Sequence, residues 1–417
     1  MRIVSRLGRP FNSLWLATAA ANLGDGMALF VLPLLALAVG ASPGGVAAVT
    51  AVLTLAWPVF GLHAGWLVDR LDRRMLLRSA NLARAAVLAG VTLVHAWGEL
   101  SLPVILGAAA VLGLAETLVD TALTSTVPLV VEPDGRTTAN ARIEATVNLT
   151  NQFVGPPLAG LLAGLALAGT TGASAVLYLA AAIAISAMVV HGRPTADAVI
   201  PPPTGLGAGF RFVWRQPTVR TLTLFTAAMN VVWAAATALL VVYAVGPGPL
   251  DLTAAEYGLM LTAMAAGGLV ASVAVEPLRR RFGVTTLLVI DCVGTVLLVA
   301  PVALGANAWV VAAGMIAAGA GSSVWRILVA TIRQNLSPSD QLGRVYAASR
   351  MISWGVIPAG AALAGLGAEL WGVRAVFAVA TGLAIAVLAG FVGFALRADL
   401  SATMAADQAD AVSHPHG

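Results

Sequence analysis

Apolar segments of about 20 residues, each long enough to cross a ~30 Å hydrocarbon core, recur along this chain from end to end. Of its 417 residues, 59% are hydrophobic and 10% charged. That is far too little charge to cover the surface of a soluble protein of this size. So many spans exclude a single anchor on a soluble domain and leave an all-α polytopic membrane protein. Twelve candidate helices are read, at roughly 12–38, 45–68, 77–96, 101–126, 140–168, 171–191, 220–245, 255–276, 284–305, 308–333, 343–370 and 372–396. The basic stretch Met1–Asn12 runs into a full-length span without a small-residue cleavage site, so a retained first helix is expected.

The longest connection divides these spans six and six. The expected organisation is a six-helix bundle over 1–191, a linker over 192–219, a second six-helix bundle over 220–396, and a disordered tail over 397–417. Pro201-Pro202-Pro203 makes the linker stiff and extended. Every basic residue is an arginine, and nearly all of those outside the spans sit in one set of alternate loops, with only Arg374 in the opposite set. By the positive-inside rule both termini are cytoplasmic, and the even number of spans agrees. The net charge of +4 then reflects loops facing anionic headgroups of a plasma or inner membrane, with no nucleic-acid partner implied. The lone cysteine, Cys292, lies in an apolar run, and no HExxH, Walker loop or dinucleotide-binding glycine pattern occurs. Neither metal nor cofactor is expected, and a membrane-embedded enzyme would need a catalytic cluster that the sequence lacks.

The halves repeat. Residues 69–74 align on 276–281, which also sets Gly61 on Gly268 and Arg84 on Asp291. Further along, Pro157, Leu162, Ala163 and Gly164 match Pro358, Leu363, Ala364 and Gly365. Parallel repeats of this size build transporters that rock around a midplane site. The charged turn Gly65-Trp66-Leu67-Val68-Asp69-Arg70-Leu71-Asp72-Arg73-Arg74 separates two apolar runs. There Gly65 permits close helix approach and Asp69 can pair with arginines. Simple anchoring by arginines is the plainer alternative. Asp69 and Asp72 as a metal-binding pair is disfavoured by the arginine beside each.

Nearly the whole chain resembles the major facilitator superfamily. The turn containing Gly65, Asp69, Arg70, Arg73 and Arg74 is similar to that family's loop between helices 2 and 3, with Asp72 where glycine is usual. Gly155-Pro156-Pro157-Leu158-Ala159-Gly160 resembles the G-P-x-x-G-G antiporter motif of the drug exporters, with Ala159 for one glycine. Asn22-Leu23-Gly24-Asp25, Pro128 and Ala139-Asn140-Ala141 look most like the branch of macrolide and siderophore exporters. The arginine of the fourth helix that many drug–proton antiporters carry is absent; Glu116 and Asp120 stand there.

Ionisable groups inside spans are costly and become functional candidates. Asp25, Glu116 and Asp120 are read as proton-coupling groups; by resemblance, Asp25 and Glu116 face a central cavity. Two carboxylates one turn apart, as in Glu116 and Asp120, repel in low dielectric, so one is expected to be protonated or paired. The repeat suggests two pseudo-symmetric ion pairs, Arg84–Asp120 and Asp291–Arg326, with signs exchanged between halves and a structural or latching role. Gly155, Pro156, Pro157 and Gly160 are expected to bend the fifth helix into a gate, with Gly160 and Gly164 as a packing face. Asn22, Asn151, Asn230, Trp233 and Trp354 are candidates to line a mostly apolar substrate cavity, which suits a bulky amphiphile.

The expectation is a monomeric secondary transporter, not an enzyme. Its partners are protons, membrane lipid and a small-molecule substrate. Proton-coupled efflux of an antibiotic- or siderophore-like molecule comes first. An uptake symporter for a metabolite and a non-transporting sensor on the same fold are the alternatives.

Overall fold

A computed structural model describes residues 7–188, 206–338 and 341–397 of the chain. The Pro201–Pro203 stretch and the tail from 398 onward lie outside the described residues, as does the side chain of Asp69. The helices are α1 (Gly8–Ala38), α2 (Pro43–Arg70), α3 (Arg73–Ala96), α4 (Leu102–Val130), α5 (Arg136–Val147), α6 (Gly155–Leu165) and α7 (Leu167–Ser186). They continue as α8 (Leu206–Arg215), α9 (Pro217–Ala244), α10 (Ala254–Phe282), α11 (Val284–Ala303), α12 (Ala308–Leu336), α13 (Leu342–Trp354), α14 (Ile357–Trp371) and α15 (Val373–Ala395). Among the described residues, 11 helical stretches are long and apolar enough to cross a membrane. The remaining expected span, the fifth, is interrupted: α5 and α6 are joined by a π-helical segment, Asn148–Val154.

The termini of these helices follow from local chemistry. Ser42 accepts from the Gly45 amide and Pro43 opens α2, while Asp72 accepts from the Met75 amide at 2.7 Å and caps α3. Asn307 caps α12 in the same way. Gly283 and Gly372, at φ 78° and 82°, make the one-residue joints between α10 and α11 and between α14 and α15. Only glycine adopts that backbone without strain.

The π segment has a clear cause. Pro156 and Pro157 carry no amide hydrogen, so carbonyls one turn earlier lose their donors. The Gly155 amide reaches back five residues to the Thr150 carbonyl, and in that register the donor missing for Asn151 is Pro156. The bend was expected at Gly155–Pro157; the irregular backbone lies in the turn before it. The second half breaks at the matching place. α13 ends at Trp354 and α14 restarts at Ile357, just before Pro358, the repeat partner of Pro157.

The chain forms two compact units, one of residues 1–200 with 244–262, the other of residues 201–243 with 263–417. In the first, α1 and α3 pack on α7, and α2 packs on α4. Trp15 donates to Thr146 Oγ1 at 2.7 Å, tying α1 to α5, and Thr92 and Thr171 hydroxyls meet at 2.8 Å between α3 and α7. In the second, α11 packs on α12 and α15 around Leu288, Cys292, Trp325, Leu328 and Phe391. Phe391 is edge-on to both Phe225 and Trp325 at 5.4 Å. Helix α8 falls inside the stretch read as an extended linker. It is amphipathic, and its Val213 packs with Val219, Val345 and Ala348 of α9 and α13.

Candidate functional site

The first unit gathers its buried charge at one place. Asp25 is 8% exposed in the middle of α1, and Arg84 of α3 is fully buried at 0%. Arg84 Nη1 lies 3.1 Å from Asp25 Oδ1 and donates to Oδ2 at 3.3 Å. From α7, the Tyr178 hydroxyl donates to Asp25 Oδ1 at 2.7 Å. The Arg84 guanidinium also lies 5.3 Å from the Tyr178 ring centroid, within cation–π range. Three helices thus meet on one carboxylate.

The glycines flanking Asp25 make this possible. A Cβ at Gly24 would sit 3.1 Å from the Tyr178 ring, so the glycine lets that ring lie close enough for its hydroxyl to reach the acid. A Cβ at Gly26 would overlap the Asn151 carbonyl, and one at Gly155 would come within 2.9 Å of Gly26 Cα. The carbonyl left without a donor by Pro156 therefore rests against the Gly26 backbone, where a Cα–H can face it.

Asp120 was the expected partner of Arg84. The ion pair is made to Asp25 instead, because both of those side chains are withdrawn from solvent, whereas Asp120 is exposed on α4. Glu116, half-buried one turn earlier on α4, and Asp120 both remain within electrostatic range of the guanidinium. Glu116 also lies within range of Asp25. Arg84 Nε and Nη2 are buried and have no hydrogen-bond partner among the described residues. One arginine, bonded to Asp25, thus lies within electrostatic range of two further acids. Tyr178 was missed by the sequence reading. The available signal was a lone tyrosine in an apolar sixth span, in a chain with only 4 tyrosines.

The other expected pair, Asp291–Arg326, is not formed. Trp325 turns inward, buried and donating to Thr226 Oγ1 at 2.9 Å, which sends Arg326 to the exposed side of α12. Asp291 stays in the core with neither carboxylate oxygen hydrogen-bonded among the described residues.

The 65–74 turn is built differently from its expected packing. A Cβ at Gly65 would meet nothing within 4 Å, so this glycine marks no close helix approach. Arg70 stacks on Trp66 at 4.3 Å. Arg74 Nε donates to the Ile185 carbonyl at 3.1 Å and its Nη2 to the Ser186 carbonyl, clamping the start of α3 to the end of α7. Arg73 Nε is buried without a hydrogen-bond partner among the described residues. In α6, Gly160 does pack closely, since a Cβ there would lie 2.7 Å from the Ala254 carbonyl; Gly164 faces open space.

The polar groups proposed for substrate divide between the units. Asn22 Nδ2 donates to the Thr18 carbonyl within α1, and half-buried Asn151 lies in the π segment. In the second unit, Asn230 Nδ2 donates to the Ser353 carbonyl at 2.6 Å, which ties α9 to α13. Trp233 is half-buried on α9, and Trp354, 47% exposed, carries Arg350 at 4.8 Å from its ring. Asn22 and Asn230 thus already hold backbone carbonyls.

Comparison with known proteins agrees with this architecture. The family model described as Major Facilitator Superfamily matches residues 14–357. An uncharacterised MFS-type transporter of Sinorhizobium fredii, y4rN, is 28% identical over 85% of this chain and 87% of its own length. The multidrug efflux pump Tap of Mycobacterium tuberculosis is 31% identical over 49% of this chain and 51% of its own length. An uncharacterised MFS-type transporter of the same organism, Rv0037c, is 36% identical, but over 34% of this chain, and the chain spans 32% of that relative's length. Among solved structures, the nucleoside transporter NupG superposes with a TM-score of 0.74 at 12% identity, covering 92% of this chain and 98% of its own. A bacterial homologue of the iron transporter ferroportin in its inward-facing state gives 0.68 at 18% identity, over 94% and 99%. Both show the fold alone. The chain is a multi-pass membrane transporter, not an enzyme, and it belongs to the major facilitator superfamily.

Proposed function

We propose that this transporter exports a hydrophobic or amphiphilic small molecule, antibiotic- or siderophore-like, by alternating access in exchange for protons. The observation that carries the reading is the buried Asp25–Arg84–Tyr178 cluster, with Glu116 and Asp120 in range of the same guanidinium. Charge sites withdrawn from water are expensive and are kept where a charge must be taken up or released. With three acids to one arginine, the cluster can accept a proton on one carboxyl while Arg84 stays paired to another. Its spare Nε and Nη2 donors let the guanidinium exchange carboxylates without losing every bond. The efflux direction is supported by the likeness to Tap, a multidrug efflux pump, over about half of each chain. The arginine-rich loops support a plasma or inner membrane with both termini cytoplasmic. The 65–74 turn and the Gly155–Gly160 segment are the proposed gating elements, in a protein that works as a monomer.

Inverted membrane vesicles test this directly. Energised vesicles holding the wild type should accumulate a lipophilic fluorescent cation used as probe, and a protonophore should abolish the accumulation. Asp25→Asn and Glu116→Gln should each cut it at least tenfold with the protein still in the membrane. Undiminished accumulation in both variants would remove these carboxylates from the coupling. Uptake of a metabolite by right-side-out vesicles, driven by the same gradient, would replace efflux with symport. Asp69→Asn with intact transport would reduce the turn to an anchor.

A further inference from the structure

Asp291 lies in the middle of α11, among Leu287, Leu288, Cys292 and Leu298. It is 1% exposed, and both carboxylate oxygens lack hydrogen-bond partners among the described residues. One turn on, Thr295 is equally buried at 1%, and its hydroxyl has no partner either. Thr295 shares this orphaned state with Thr170 and departs from the commoner pattern of this chain's helical threonines. Thr18, Thr54, Thr92, Thr117 and Thr262 each donate to the carbonyl four residues earlier. Across from Asp291, a Cβ at Gly321 of α12 would lie 2.6 Å from Oδ1 and 2.8 Å from Cα. The carboxyl occupies a seat that only a glycine leaves free.

Among the described residues, no counter-charge reaches this seat. On α10, which shares the core of this unit, Arg279 and Arg280 are paired to Glu276 and Arg281 lies against Phe282. On α11 itself the neighbouring titratable group is Cys292. On α12, Arg326 is exposed, and Arg333 lies two turns further on, 5.8 Å from the Tyr346 ring. On α15, Arg374 reaches the Ala303 carbonyl at the opposite end of α11. In the first unit the repeat-equivalent position is Arg84, whose acid comes from α1. The counterpart of α1 is α9, which carries no charged residue beyond Arg220. A bare carboxylate withdrawn from water costs several kcal/mol or more. One threonine hydroxyl offers a single donor against about four acceptor sites. A metal cation asks for about six or more oxygens, and the seat supplies the two of Asp291 and one of Thr295.

We infer that Asp291 is a proton-binding site of the second unit, holding a carboxylic-acid proton in the seam between α11 and α12 opposite Gly321. On binding, one Asp291 oxygen gains an O–H bond and a hydronium ion becomes water; release reverses this when the seam admits water. Thr295, one turn on along the same helix, is the neighbouring orphaned hydroxyl, and a rotation of its side chain is needed to bring Oγ1 to the acid. The site is separate from the Asp25 cluster and does not depend on the direction of transport or the cargo.

Infrared spectra of the full-length protein in lipid nanodiscs test it. At neutral pH the wild type should show the carbonyl stretch of a protonated carboxyl, shifted on H/D exchange. The band should be missing from Asp291→Asn and should persist in Asp25→Asn and Glu116→Gln. Asp291→Ser serves the same subtraction if the asparagine variant does not accumulate. Asp291→Asn, near-isosteric with the protonated acid, should also melt no lower than the wild type at neutral pH. An identical band in the wild type and both Asp291 variants, or none in any, would overturn the assignment. So would a wild-type melting temperature that rises with sodium at constant ionic strength while that of Asp291→Asn does not, which would mark a cation-bound carboxylate.

Discussion

Arg84 Nη1 of α3 lies 3.1 Å from Asp25 Oδ1 of α1, at side-chain exposures of 1% and 11%. A pair so withdrawn from solvent is costly to form and costlier to break, because removing one partner strands the other's charge. Arg84→Gln should therefore lower the unfolding free energy by about 3–5 kcal/mol, whereas the Asp25→Asn/Arg84→Gln double variant should recover part of that loss. Thermal unfolding of the purified protein in one detergent, run as a double-mutant cycle, measures the coupling. Strictly additive losses would show that the two side chains act independently.

The Tyr178 hydroxyl donates to the same carboxylate, and hydrogen bonds to charged groups contribute about 1.5–3 kcal/mol. Tyr178→Phe keeps the ring against Gly24 and removes only the donor. It should destabilise by that amount in the wild type and by clearly less in an Asp25→Asn background. Equal effects in both backgrounds would assign the loss to something other than this bond.

The glycines make opposite predictions by position. Gly26→Ala and Gly155→Ala place a methyl against the facing backbone of the π segment and of α1, which has no side chain to move aside. Overpacking of this kind costs about 1–3 kcal/mol. Gly65→Ala meets open space and should leave the melting temperature unchanged or slightly raised. Surviving protein after heating, read by fluorescence-detected gel filtration, ranks the three variants. A Gly65→Ala loss as large as that of Gly26→Ala would contradict the geometry.

The charged turn should divide into separable parts. Asp72→Ala removes the cap of α3 and should cost about 1 kcal/mol. Arg74→Ala releases the Ile185 and Ser186 carbonyls, so amide exchange should speed up at the end of α7. Hydrogen-exchange mass spectrometry of peptides covering 180–188 reads this. Unchanged exchange there would mean the clamp is dispensable.

Much of this protein was legible without coordinates. The succession of apolar spans, the arginine-bearing loops and the repeat depend on composition and order along the chain, and a bilayer admits few solutions for such a pattern. The break near Pro157 follows from the same local rules, since a proline's missing amide is a property of the residue itself; its echo before Pro358 falls inside a stretch, 343–370, read as one span. Pairing was not local. Arg84 has acids available on α1 and α4, and only the packing of α1 and α3 on α7, opened by Gly24, selects Asp25 and brings Tyr178 to it. The sign-exchanged symmetry of Asp291 and Arg326 is present in the sequence and absent in space. One step of helical rotation puts Trp325 in the core and Arg326 outside it. Periodicity says which residue types recur on a helix; which side chain turns to its neighbour is decided by the volume the neighbour leaves.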